Sequence, residues 1–195
     1  MITLIIVDCQ NDFISGSLSV KGAKKALDGI KSYIQKERKQ IEKIIFTVDW
    51  HPYDHCSFKK NGGEWPLHCV QYTPGACIEP KLLKFVQSQN IPYEVSQKGD
   101  DKYREQYGAF EEIEFVQDTD LISHYYFDSI VTVDAGTNFV VCGIAGDYCV
   151  KETMKNLIGH WKKFNISVLM DGTASIDGGT ALNDFINSHD NIKAI

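Results

Sequence analysis

The chain lacks the positive charge that a nucleic-acid binder needs. Its 20 lysines and arginines stand against 26 aspartates and glutamates, a net charge of -6, which is the wrong sign for a polyphosphate partner. No apolar run approaches the ~20 residues of a membrane span, so no membrane partner is expected either. The segment Met1 to Val7 is apolar but too short for a secretory signal, has no basic start and meets Asp8 at once. Six cysteines in 195 residues are too few for a disulfide scaffold. No C-x-x-C pair occurs among them, so the thiols read as those of a reducing cytoplasm. Internal repeats and low-complexity tracts are also missing. What remains is ordinary for a globular protein, 43% hydrophobic and 24% charged, and the length suits a single domain over 1–195 with a full core.

Strands and helices alternate along the sequence. Solid apolar runs at Thr3 to Val7, Lys43 to Val48 and Phe139 to Ile144 read as strands buried on both faces. Further strands are expected at Pro92 to Ser96, at Ile166 to Met170 (stopping at Asp171-Gly172) and at Ile192 to Ile195, with an extra one at Ser129 to Val133. Between them lie amphipathic helices. One runs from about Ala23 to Gln40, with Ala23, Ala26, Leu27, Ile30, Ile34 and Ile41 on its apolar face. Others span Glu79 to Gln89, the segment from Val150 through Met154, Leu157, Ile158 and Trp161, and Thr180 to Ser188. A further helix is expected within 113–127. This order predicts an α/β fold whose mostly parallel sheet is covered on both sides, with the site outside the carboxyl ends of the strands.

Four chemically distinct residues fall at or just past predicted strand ends: Asp8, Asp49, Lys98 and Cys149. They should converge. Cys149 follows the turn at Gly143 and Gly146 and opens a helix, where oriented N–H groups favour a thiolate and hold an oxyanion. A carboxylate to take the thiol proton and an ammonium to balance charge complete a nucleophilic site of Asp8, Lys98 and Cys149. Taken singly, each has a plainer role, as a buried thiol, a loop-capping carboxylate or a surface lysine.

A second cluster begins at Asp49-Trp-His51. Residues two apart in an extended segment point the same way, and His68 follows after Glu64-Trp-Pro-Leu. Two imidazoles and a carboxylate suit one divalent metal, zinc foremost, with iron and manganese as alternatives. His55 and Glu64 are near enough in sequence to join the shell. A closed zinc site on Cys56 and Cys69 with His55 or His68 is the rival arrangement. His124, His160 and His189, and the thiols of Cys9, Cys77 and Cys142, read as ordinary surface or core groups.

Taken together, Val7-Asp8-Cys-Gln-Asn-Asp-Phe13, Asp49-Trp-His-Pro52, Asn61-Gly-Gly-Glu-Trp-Pro-Leu-His-Cys69, Thr73-Pro-Gly-Ala76, Gln97-Lys98-Gly99 and Cys142-Gly-Ile-Ala-Gly-Asp-Tyr-Cys-Val150 resemble the nicotinamidases (pyrazinamidases) of the isochorismatase-like cysteine hydrolases. The likeness covers nearly the whole chain. It implies a Rossmann-like three-layer sandwich with a six-stranded sheet of order 3-2-1-4-5-6, a catalytic triad of Asp8, Lys98 and Cys149, and metal ligands Asp49, His51 and His68. It also implies a cis peptide before Ala145, an oxyanion hole from the N–H groups of Ala145 and Cys149, and ring contacts from Phe13, Trp65 and Tyr107. The implied substrate is nicotinamide, and dimers or larger assemblies are common in the family. The chain departs from the family pattern at Gly146, where a threonine is common and whose absence should loosen the turn. It departs again at Tyr72, in place of a glycine, which should alter the mouth of the site, and across Ser129 to Thr137.

Two other readings compete. A related cysteine hydrolase acting on N-carbamoyl or ureido amides would share Asp8, Lys98 and Cys149 but lack the Asp49, His51 and His68 set. A non-enzymatic metal or thiol redox protein would need the metal and Cys149 but neither Asp8 nor Lys98.

Overall fold

The computed structural model describes residues 1–111, 138–160 and 165–195. The helix expected within 113–127, the extra strand at Ser129 to Val133, His124 and Trp161 lie outside them. Six strands form one sheet: β1 (Ile2–Val7), β2 (Ile41–Asp49), β3 (Tyr93–Lys98), β4 (Asn138–Ile144), β5 (Asn165–Ala174) and β6 (Ile192–Ala194). Their order is β3-β2-β1-β4-β5-β6, and every pairing is parallel. All carboxyl ends therefore share one edge.

The side-chain alternation of β1 explains the layering. Leu4 and Ile6 face one core with α2 (Ala23–Glu37) and α3 (Pro80–Ser88), while Ile5 and Val7 face another with α4 (Lys151–His160) and α5 (Thr180–Asn187). A sheet buried on both faces needs apolar residues at successive positions, which is why these strands read as unbroken apolar runs rather than as alternating ones. A short helix, α1 (Asn11–Ile14), follows β1 directly. No helix among the described residues is long and apolar enough to cross a membrane.

Two boundaries differ from the sequence reading. Helix α2 ends at Glu37, and Ile41 is not on its face. That residue opens β2 and pairs with Ile2, since burial beside β1 satisfies the side chain as well as a helix face would. Strand β5 does not stop at Asp171-Gly172 but passes through them to Ala174. A register shift absorbs the pair: Val141 is opposite Val168, and Gly143 is opposite Thr173, with the Thr173 hydroxyl donating to the Leu169 carbonyl at 2.8 Å.

Candidate active site

The parallel register brings the strand ends together. Asp49 closes β2 directly opposite Lys98, which closes β3. Asp8 follows β1 with φ of 48°, its N–H bonded to the Thr47 carbonyl at 3.0 Å. Beyond β4 the Ile144–Ala145 peptide is cis. Cys149 then lies in a π-helical turn, Gly146–Val150, that leads into α4. The nucleophile candidate thus lies two residues ahead of α4, where the sequence placed it one ahead. The Ala145 carbonyl accepts from the N–H groups of Tyr148 and Val150, both at 3.1 Å.

Asp8 and Lys98 are wholly buried. The Lys98 ammonium pairs with Asp8 Oδ2 at 2.9 Å and also with Asp49 Oδ1. Asp8 Oδ1 accepts the Thr47 hydroxyl at 2.8 Å, while Oδ2 has no well-directed hydrogen bond and keeps a lone pair for a nearby donor. Reactive atoms of Asp8, Asp49 and Cys149 fall within 4.8 Å of one another.

The charges follow from this crowding. Burial would lower the Lys98 pKa, but Asp49 and then Asp8 outweigh it and hold it well above the usual lysine value. Burial drives Asp8 up to about 6 against the pull of Lys98, and the Asp49 charge adds to the rise. Asp49 is also buried, but Lys98 and the histidines hold its pKa far below the usual carboxylate range. The Cys149 thiol is pushed well above its usual value, by burial first, with Lys98 opposing and the two carboxylates reinforcing. The resting group is therefore a thiol. The thiolate-favouring environment expected from position is overridden by burial, and the Asp8 carboxylate, with a reactive atom within 4.8 Å of Sγ, is the acceptor at hand for the proton.

The second cluster shares Asp49. Its Oδ2 lies 3.6 Å from His51 Nε2 and 3.9 Å from His68 Nε2. In each histidine the other ring nitrogen is held by a carbonyl at 2.8 Å, that of Gly99 for His51 and that of Pro66 for His68. A carbonyl only accepts, so Nδ1 carries the proton and Nε2 presents a lone pair. Two lone pairs and a carboxylate oxygen facing one another call for a cation, and carbonyl-bound Nδ1 atoms are the usual support for metal-binding imidazoles. The donor set fits a divalent metal. Burial keeps His68 below its usual pKa and hence neutral, whereas at His51 Asp49 overcomes burial and raises it. Gly99, at φ of 68°, sits against the His51 ring, and a β-carbon there would come within 2.5 Å of Cε1.

His55 and Glu64 do not join. His55 stacks on His51 with centroids 4.2 Å apart. Both its nitrogens are engaged, Nδ1 by the Ser57 N–H at 3.2 Å and Nε2 by the Arg104 carbonyl at 3.0 Å. Glu64 is exposed. Among the described residues no candidate metal group contains Cys56 or Cys69. His189 packs on Phe185 in α5, away from the site.

A cavity opens over both clusters. It is lined by Phe13, Trp65, Tyr107, Ala145 and Cys149, together with Asp49, His51 and His68. The Trp65 indole N–H donates to the Tyr107 hydroxyl at 3.1 Å, and both rings meet Tyr148. Tyr72 packs edge-on against Trp50, and neither lines this cavity. Gly146 does not leave a loose turn: Ser175 Oγ, Thr173 and Leu182 fill the space where a side chain would stand.

Several supporting residues escaped the sequence reading. Gln10 brackets the Asp49 backbone, accepting from its N–H and donating to its carbonyl, each at 2.8 Å, and donating also to the Ala76 carbonyl. Asp12 holds the loop after His68 through the Cys69 N–H at 2.8 Å. Asp147 ties the Cys149 turn to the backbone of Ile176 and Asp177 at 3.0 and 2.9 Å. Thr47 was the most visible in advance, as a hydroxyl inside an otherwise apolar strand.

Residues 3–186 match the isochorismatase domain family. The chain is 33% identical over 186 residues to a nicotinamidase/pyrazinamidase of Mycobacterium tuberculosis, covering 93% of this chain and 91% of the relative. It is 32% identical over 205 residues to the nicotinamidase of Saccharomyces cerevisiae, covering 90% and 89%. The structure of the yeast nicotinamidase bound to the inhibitor nicotinaldehyde superposes with a TM-score of 0.77 at 27% identity, covering 100% and 99% of the two chains. The pyrazinamidase of Pyrococcus horikoshii in complex with zinc superposes with a TM-score of 0.74 at 28% identity, covering 100% and 98%.

Proposed function

Because the chain belongs to the isochorismatase family, we propose that it is an amide hydrolase converting nicotinamide to nicotinate and ammonia through a thioester on Cys149. The observation that carries this reading is the sharing of Asp49. One of its oxygens holds Lys98 and the other faces His51 and His68, so a nucleophilic cluster and a metal-binding cluster meet under one aromatic-lined cavity. An N-carbamoyl hydrolase would have no use for the second cluster.

In the mechanism, Asp8 accepts the Cys149 proton and Sγ attacks the carboxamide carbon. Lys98 stays charged and balances the anions around it. The developing oxyanion is received by the N–H groups of Ala145 and Cys149, at about 3 kcal/mol per donor in sites of this kind. Asp8 returns its proton to the nitrogen as the C–N bond breaks and ammonia leaves, then draws one from a water whose oxygen attacks the thioester carbon. The C–S bond breaks to release nicotinate, and the proton on Asp8 goes back to the Cys149 sulfur. Phe13, Trp65 and Tyr107 enclose the ring and keep water from the thioester. Asp49, His51 and His68 would hold a divalent metal, with zinc favoured by the zinc-bound pyrazinamidase neighbour. When bound, that ion supplies Lewis acidity that orients the pyridine nitrogen. The single domain over 1–195 is part of the same proposal.

The test is ammonia release from nicotinamide by the metal-loaded protein, beside a Cys149→Ala variant and a chelated sample. Loss of activity in both controls is expected. Activity surviving in the variant sinks the thioester, and activity surviving chelation makes the metal structural.

A further inference from the structure

The proposed reaction turns a neutral amide into an anion and leaves the ring unchanged. Ring contacts therefore act alike on substrate and product, and only charge near the pocket separates them. The anions deep in the site are already engaged. Asp8 and Asp49 both pair with Lys98, and Asp147 accepts two backbone N–H groups. Glu105 differs. It is exposed, lines the same cavity as Cys149 and Trp65, and has no ion-pair partner among the described residues. Its charge is nonetheless felt inside. After burial, it is among the groups that push the Tyr107 phenol up.

We propose that Glu105 is a charge selector at the mouth of the pocket, weakening the hold on the carboxylate product relative to the carboxamide substrate and so favouring product release. This rests on the nicotinamide reading above. Glu105 takes no part in bond making. A unit charge about one Debye length or less away, across a water-filled mouth, changes the affinity of an anion by roughly two- to fourfold.

The experiment uses metal-loaded Cys149→Ala protein, which holds ligands without turning them over. Calorimetric titration with nicotinamide and with nicotinate gives a ratio of dissociation constants, measured with Glu105 intact and in the added variants Glu105→Gln and Glu105→Asp. The nicotinate-to-nicotinamide ratio is expected to fall about two- to fourfold in Glu105→Gln at low salt and to stay close to the parent value in Glu105→Asp. The gap should narrow at roughly 0.5 M salt, where charges are screened. A ratio unchanged by Glu105→Gln, a gap that persists in high salt, or an equal effect of Glu105→Asp overturns the selector and leaves the nicotinamide reading intact. Binding of neither ligand to any of these proteins overturns that reading and this inference with it.

Discussion

Asp8 is where the charge balance is most finely set. Opposing influences meet on one carboxyl: burial raises its pKa, Lys98 lowers it and the Asp49 anion raises it again, leaving a value of about 6. For the proposed chemistry the group must be ionised to receive the thiol proton, so kcat/KM should fall as pH drops through about 6. The stability linkage has the opposite sense. A folded pKa above that of an unfolded aspartate means that protonated Asp8 favours the fold at low pH, a contribution lost as pH rises through about 6. Thr47 helps to keep Asp8 ionised, since its hydroxyl donates to Oδ1. Thr47→Val keeps the shape and removes the donor, so the acid limb of the pH profile should move upward. The loss at pH 6 should be about threefold, as expected for one net hydrogen bond. A limb that stays in place in this variant would show that Thr47 does not tune the base.

At the scale of elements, the site is a product of parallel pairing. Strands β1, β2 and β4 were legible because burial on both faces demands unbroken apolar runs, and the first polar residue beyond each run marks the sheet edge where ligands bind. Asp8 and Asp49 could be picked out on that ground alone, whereas Lys98 closes a strand of mixed polarity and needed the neighbouring motif. Strand β5 was read short because Asp171-Gly172 has the chemistry of a turn, whereas the sheet accommodates it as an irregularity between two paired stretches. Gln10 was invisible for a different reason: its partners lie 39 and 66 residues away, and no local pattern announces a bond of that reach. Its three hydrogen bonds fix the end of β2, and with it the direction of the Asp49 carboxylate. Gln10→Ala should cost about 2–4 kcal/mol in urea denaturation, because buried backbone groups lose their partners. It should also weaken metal binding roughly ten- to a hundredfold in a chelator competition, as loss of ligand support does elsewhere. Lower stability with unchanged metal affinity would reduce Gln10 to a brace of the fold.

For the molecule as a whole, a bound cation would tie the end of β2 to the long loop that carries His51 and His68. Its removal should therefore be felt globally. At metal concentrations near a hundred times Kd the stabilisation is about 2.7 kcal/mol. In a chain of this length that corresponds to a Tm about 5–10 °C lower after chelation, restored by added zinc. A melting curve indifferent to chelation would argue that Asp49, His51 and His68 hold no ion in the folded protein. The shared Asp49 also limits how this chain can be remade. His51 and His68 are replaceable one at a time without disturbing the carboxylate that anchors Lys98, but Asp49 is not, because its loss strips the lysine and the metal of a partner in a single step. A lineage, or a designer, moving toward a metal-free hydrolase has to pass through the histidines first. Along that path the aspartate would survive as a relic, its lysine contact kept and its histidine neighbours gone.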